Sequence, residues 1–369
     1  MKNISRNIAI VVSLLIVVVV FYYFSSIVAY VLIAWVLSLI GQPLMHLFKE
    51  KIKFGKIKIG PSFSAILTII SFFIVFTILI YLFVPLVVEQ ARNLTDVDYN
   101  AIGQTLSEPL AQLDEQLLKF GLIEQGDSSD EQLKTMLKEW FRPTQIGNFF
   151  RLIIGVFGNF LITLFSIVFI TYFFLKEESI FGNFIAAIAP QQYEKETRNA
   201  LQSITNLLTR YFGGILIQMT VITIFVSVLL GVLGIKNALL IGFFAALINV
   251  IPYLGPMIGA MFGVFITISS NLGLEFYTEM LPLLVKVIAV FGAMQLLDNI
   301  ILQPYIFSNS VKAHPLEIFI VILLGAQING IVGMVLAIPV YTVIRVVAKE
   351  FLSEFKIVQQ ITHRMEDEN

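Results

Sequence analysis

Residues 238–268 read ALLIGFFAALINVIPYLGPMIGAMFGVFITI, a 31-residue stretch without a charge. As one helix it would extend roughly 46 Å. That exceeds the ~30 Å hydrocarbon core of a bilayer, while two full spans would need about 40 residues. Pro252, Gly255 and Pro256 interrupt the stretch at its centre. Proline removes a backbone donor and clashes with the turn before it, so each flank is a helix of about a dozen residues. That length crosses half a bilayer and suits a re-entrant hairpin. Non-helical backbone at such depth survives only against protein or a wet cavity. A single kinked, tilted span is the alternative.

Residues 315–344 have the same construction. Gly325, Gly330 and Gly333 punctuate the run, and Gln327 and Asn329 stand at its centre. A pair of interrupted hydrophobic segments points to the binding site of a transporter. Two hairpins would put 271–279 outside and 303–314 inside; two kinked spans would reverse both. Glu275 and Glu279 on one segment and Lys312 on the other favour the hairpins.

Six further apolar runs lie at 8–24, 27–40, 61–88, 149–175, 211–233 and 280–302. The first follows Lys2 and Arg6 and reads as a retained signal anchor, because Tyr22-Tyr23-Phe24 is no small-residue cleavage site. The second is short for a full span. Over all 369 residues 57% are apolar and 13% charged, where a soluble domain carries about a quarter charged residues. Mean hydropathy is +0.88. The expected fold is an all-α polytopic integral membrane protein. It has about six membrane-spanning helices plus two broken re-entrant helical hairpins, or eight spans. This composition excludes a nucleic-acid binder and an ordinary soluble enzyme. Cysteine is absent, and His46, His314 and His363 are far apart. No catalytic residue, metal site or cofactor is expected, and a P-loop sequence is missing.

Basic residues orient the chain. Lysines 49, 51, 53, 56 and 58 oppose only Glu50 within residues 41–60, whereas residues 89–148 hold 11 acids and 5 bases. The first segment belongs inside and the second outside, with both termini cytoplasmic. Leu106, Leu110, Leu113, Leu117 and Phe120 form a coiled-coil-like seam in the external segment, although Pro109 interrupts it. The expected organisation is N-terminal membrane helices at 1–88 and an extracytoplasmic helical arm at 89–148. A membrane helix and cytoplasmic amphipathic segment follow at 149–210, a transport core at 211–347 and a cytoplasmic tail at 348–369. In the amphipathic part Phe181, Phe184, Ile185 and Ile188 share one side.

Polar side chains at membrane depth are candidates for function. Lys286 is close enough to one end of its run to snorkel. Gln295, Asp298, Asn299 and Gln303 fall on one helical face, with Pro304 expected to end the helix. Asn249 precedes the first break, and Gln218 is a weaker candidate. Gly255, Gly259 and Gly263 recur every four residues, a spacing that lets helices approach closely. The candidate substrate-binding set is Asn249, Pro252, Tyr253, Gly255, Pro256, Gln295, Asp298, Asn299, Gln327 and Asn329. Its amides, one phenol and one carboxylate suit an uncharged polar solute. A cation/proton antiporter centred on Asp298 competes with this reading.

These residues carry a family resemblance. Residues 246–256 (ALINVIPYLGP) resemble the signature of the autoinducer-2 exporter family of membrane permeases. So do Asp298-Asn299 with Pro304, His314-Pro315-Leu316, and then Gly330, Gly333, Ala337 and Pro339. Upstream, residues 189–193 (APQQY) and 211–214 (YFGG) are similar as well. Ser308 stands where the family often has glycine, and Ala326-Gln327 where it often has a glycine pair. The resemblance implies export of autoinducer-2, a small polyhydroxylated furanone-type signal used in quorum sensing, or of a related solute. It also implies an elevator-like movement and homo-oligomers, pentamers among them, in a bacterial inner membrane. Some relatives act as sodium or lithium/proton antiporters.

Overall fold

The computed structural model describes residues 23–95 and 157–355, apart from 52, 55, 56, 59, 178, 272, 273, 311 and 312, together with 359. The signal anchor, the external arm with its leucine seam and the cytoplasmic tail fall wholly or largely outside these residues. The described elements are helices α1 (Ser25–Lys51), α2 (Pro61–Thr95), α3 (Phe157–Lys176), α4 (Ile180–Ile188), α5 (Glu194–Val232), α6 (Ala238–Ile248), α7 (Leu254–Ser269), α8 (Leu281–Leu297), α9 (Gln303–Ser310) and α10 (Pro315–Phe351). Five-residue π-turns, Phe276–Met280 and Asp298–Leu302, flank α8. A two-residue antiparallel ladder, Lys53–Phe54 with Ile57–Lys58, joins α1 to α2.

Two elements differ from expectation. The 27–40 run is not short: α1 continues through Gly41, Gln42 and Pro43 to 27 residues, roughly 40 Å. The polar stretch 194–210 is not a separate interfacial segment, because α5 runs unbroken for 39 residues from Glu194 to Val232. Only α4 is a distinct short amphipathic helix, and Phe184 and Ile188 are exposed on it.

The chain forms two compact units. The first contains the described residues up to Phe76 and those from 157 to Thr205; the second contains α2 from Thr77 and everything from Asn206. In the first unit α1 and α3 run parallel. The Tyr30 and Thr163 hydroxyls are 2.9 Å apart, and Thr171 Oγ1 donates to the Ala34 carbonyl at 3.5 Å. The start of α2 is antiparallel to α1, with Met45, Ala65 and Leu175 sharing a core and Gly41 fitted against Leu175 and Thr68. The C-terminal ends of α1 and α3 and the N-terminal end of α2 therefore lie at one end of this unit.

In the second unit both broken runs double back. Gly255 abuts Ile248 and Asn249, Gly259 abuts Ala245, and Gly263 abuts Ile241. As the glycines step forward by four, their partners step back by about four, so α6 and α7 are antiparallel. A methyl on Gly259 would lie 3.2 Å from the Ala245 Cα, so glycine is what permits the approach. In α10 the helix is broken at Asn329 (φ −149°, ψ 38°) and Gly330 (φ 52°, ψ −134°). Gly325 and Gly333 then meet backbone to backbone, and a Cβ on either would collide with the other. Further down the same pair of arms, Tyr341 Oη donates to Glu317 Oε2 at 2.8 Å. Glycine at 330 is required because its positive φ and extended ψ are essentially closed to other residues.

Five described helices are long and apolar enough to cross a membrane: Ser25–Glu50, Pro61–Leu86, Gln191–Val232, Phe276–Ile306 and Pro315–Phe351. The last reaches that length only across its reversal. Large apolar side chains such as Phe76, Ile78, Ile224 and Ile300 are exposed, while polar Asn249 and Asp298 are buried. Such an arrangement suits a hydrocarbon surround. The protein is an all-α, multi-pass membrane protein.

Replacing Gly325 by Val should destabilise the second reversal by about 1–3 kcal/mol, since no side chain there can avoid the Gly333 backbone. Thermal unfolding in detergent checks this, with Gly292→Val, where a Cβ meets open space, expected to cost much less.

Candidate functional site

The second unit has two apolar clusters. One gathers Ile222, Val226 and Leu230 of α5, Ile241 and Ala245 of α6, Ile266 of α7, and Val287, Phe291 and Met294 of α8. The other gathers Tyr211, Ile251, Ile306, Ile318, Ile322 and Ile338. Between them in sequence on α5, at the end of α6 and after α8 stand Gln218, Asn249 and Asp298.

The structure brings these three together with Gln303. Gln218 Nε2 donates to Asp298 Oδ1 at 2.6 Å. Asn249 Nδ2 and Gln303 Nε2 donate to Oδ2 at 3.1 and 2.7 Å. Asp298 is 0% exposed, and Asn249, Gln218 and Gln303 are 2%, 7% and 9% exposed. A desolvated carboxylate is costly unless its lone pairs are occupied, and three amide donors occupy them here. The donors come from α5, the first reversal and α9, so one carboxylate ties three segments together.

Local backbone explains how. The Asp298–Leu302 π-turn shifts the helical register by one residue. It aligns positions five apart, so Gln303 returns to Asp298. Pro304 does not end the helix as expected: the helix continues through it from the π-turn into α9, to Ser310. The same shift separates the four residues expected on one face. Asp298 and Gln303 are buried, Asn299 is exposed, and Gln295 bonds to Asn299 (Nε2 to Oδ1, 3.1 Å) instead of joining the carboxylate.

At the first reversal, Tyr253 adopts φ 67°, ψ −46°, and Leu254 N donates to the Pro252 carbonyl at 2.8 Å. This is a γ-turn of the rare, strained kind. Its ring meets Phe319 of α10 edge-on, with centroids 5.7 Å apart. Pro252, Gly255 and Pro256 are buried around the turn, where Gly255 leaves room for Asn249. Gln327 and Asn329 are exposed at the tip of the second reversal, and neither is among the three amide donors to the carboxylate. Of the ten residues expected in the site, the structure thus joins Asn249 to Asp298 directly and sets Pro252, Tyr253, Gly255 and Pro256 beside Asn249. Gln218 and Gln303 complete the cluster. Gln218's signal in the sequence was its position as a lone amide within an apolar run.

One detail gives the cluster chemistry. Asn249 Oδ1 is buried without a hydrogen-bond partner. It is an acceptor on an amide already bound to the carboxylate, so a hydrogen-bond donor or a cation can be received there. Among the described residues no group of three or more His, Cys, Asp or Glu is placed to hold a metal.

The profile described as AI-2E family transporter matches residues 11–353. The chain belongs to the AI-2E transporter family. Two proteins of Bacillus subtilis (strain 168) are similar to it. "Putative transport protein YueF" is 27% identical over 326 residues, covering 85% of this chain and 81% of that protein. "Putative transport protein YrrI" is 29% identical over 187 residues, covering 51% of this chain and 50% of that protein. The chain thus spans about half the length of YrrI. AI-2E membership and the multi-pass fold agree on a membrane transporter, and the profile covers both reversals and the whole amide–carboxylate cluster.

Gln303→Leu should leave Asp298 short of a donor and cost about 1–3 kcal/mol of stability. Adding Asp298→Leu should recover part of that cost, because both partners are then apolar. A double-mutant cycle from thermal unfolding in detergent would show the coupling.

Proposed function

We propose that this AI-2E family protein is a secondary transporter that exports a small, uncharged, hydroxyl-bearing solute, autoinducer-2 or a related molecule, and is not an enzyme. The observation that carries this reading is the buried Asp298 carboxylate among three amides, next to the unpartnered Asn249 Oδ1. A solute hydroxyl donates to Asn249 Oδ1 and accepts from an amide without needing a counter-charge. Tyr253 and the backbone of the first reversal border the same region.

The two reversals act as re-entrant hairpins entering from opposite faces, and an elevator-like movement carries the solute across. Gln327 and Asn329, at the second tip, then meet the solute on its way. The protein works as a homo-oligomer, a pentamer in this reading, in a bacterial inner membrane with both termini cytoplasmic. The lysines of 49–58 and the acidic 89–148 segment support that orientation.

A sodium or lithium/proton antiporter is the second reading. It is favoured by the oxygen-only character of Asn249 Oδ1 beside the carboxylate, the ligand type that hard cations select.

Reconstituted vesicles with imposed gradients, given autoinducer-2 and sodium in separate runs, decide between them. Asp298→Asn should leave reduced but measurable solute export, because the amides remain. The same variant should abolish cation/proton exchange if that is the activity. Wild-type rates at normal abundance would leave Asp298 a structural residue and sink both readings. The chain lacks cysteine, so single-cysteine labelling tests the topology. Asn271→Cys should react from outside and Ser310→Cys from inside.

A further inference from the structure

We propose that Phe319 is a positioning residue for the Asn249–Asp298 cluster: its ring holds Tyr253 in a strained turn, and that turn holds Asn249 against the carboxylate. This role rests on the reading of the cluster as the solute site. Among the described residues, Tyr253 and Asn237 are the two non-glycine positions with positive φ. Asparagine tolerates that region, whereas a bulky side chain does not. The second reversal meets the same need with Gly330, which carries no such strain. A tyrosine kept where glycine would be relaxed is held there by its ring.

The second reversal places that ring. Tyr253 packs on the cluster that contains Ile251, Ile306, Ile318 and Ile322, and it meets Phe319 edge-on with centroids 5.7 Å apart. On the same arm of α10, Ile318 and Ile322 are each 2% exposed, whereas Phe319 is 41% exposed. Phe319 is therefore not part of the core of its own arm, and its aromatic contact is the one with Tyr253. An edge-to-face pair and the strain of one bulky residue at positive φ are of the same order. The contact is enough to hold the turn, and its loss is enough to release it.

The turn is tied to Asn249 through a few short bonds. Leu254 N donates to the Pro252 carbonyl at 2.8 Å, Gly255 N to the Ile251 carbonyl at 2.9 Å and Ile251 N to the Ile248 carbonyl at 3.0 Å. A Cβ on Gly255 would lie 2.5 Å from the Asn249 Cα, so the two backbones touch. Relaxing Tyr253 to negative φ breaks the Leu254–Pro252 bond and shifts Gly255 against Asn249. Asn249 Nδ2 then loses its 3.1 Å bond to Asp298. Drawing the Phe319 arm away from the first reversal thus loosens the solute site, and bringing it back sets the site again.

The test uses the full chain in nanodiscs and reads backbone hydrogen exchange by mass spectrometry, with no solute present. Phe319→Ala should speed exchange at Tyr253, Leu254 and Gly255 by roughly two- to tenfold and leave α8 as in wild type. Phe319→Tyr, which keeps the ring, should restore wild-type exchange, and Phe319→Leu, apolar but without a ring, should not. In Tyr253→Gly, where strain and ring are both gone, adding Phe319→Ala should change nothing further. In reconstituted vesicles Phe319→Ala should raise the half-saturating concentration of autoinducer-2 by a similar factor, with little change in the maximal rate. Unchanged exchange at the turn in Phe319→Ala overturns the proposal, as does an equal rise throughout α7, α8 and α10, which would be general destabilisation. Additive effects of Tyr253→Gly and Phe319→Ala overturn it too, as does export by Phe319→Ala with wild-type half-saturation. Faster exchange confined to the turn, in a protein whose wild type moves no autoinducer-2, supports the hold of Phe319 on the cluster and sinks the solute reading alone.

Discussion

A carboxylate removed from water must find donors or the fold that buries it fails. In this protein that constraint falls on Asp298, and the second unit is arranged around meeting it. Gln218 fixes the position of α5 along the site. Asn249 fixes the end of α6 and hence the first reversal. Gln303 fixes α9 relative to α8. None of these donors is charged, so no cation stands among the hydrogen-bond partners of Asp298.

The rest of the second unit serves close backbone approach. Gly242 lies against the Thr223 carbonyl and Ser227 backbone, Gly214 against Ile306, and Gly255, Gly259 and Gly263 against α6. In hydrocarbon there is little hydrophobic drive between helices, so packing and polar contacts carry the association. Glycine supplies the first and the Asp298 cluster the second. The Tyr341–Glu317 hydrogen bond serves the second reversal in the same way, beside Arg345, which is buried with its guanidinium 5.6 Å from the Tyr341 ring.

Much of this was legible in the residues. Run length and the Pro252–Pro256 interruption located the first reversal, and the Gly325–Gly333 cluster located the second, because proline and glycine act locally. Asn249 and Asp298 stood out as polar groups in apolar runs. The partners did not. Gln218 is 80 residues from Asp298 in sequence, and nothing local says which face of α5 will meet α8. The one-face grouping of Gln295, Asp298, Asn299 and Gln303 failed for another reason: it assumed 3.6 residues per turn where the chain makes a π-turn. The extent of α1 and α5 was misjudged because polarity was taken as an end signal, and helical hydrogen bonding continued through Gln42 and through 194–210.

The π-turn also makes the chain sensitive to phase. A five-residue turn holds one residue more than an α-helix needs, and the same residues wound as regular helix would keep hydropathy and composition unchanged. Yet every side chain beyond Leu302 would then rotate by about 100° around the axis. Gln303 would swing off the carboxylate and Ile306 away from Gly214, while α10 would start from a different azimuth. The extra residue works as a vernier: it sets the angular relation between the polar cluster and everything that follows it.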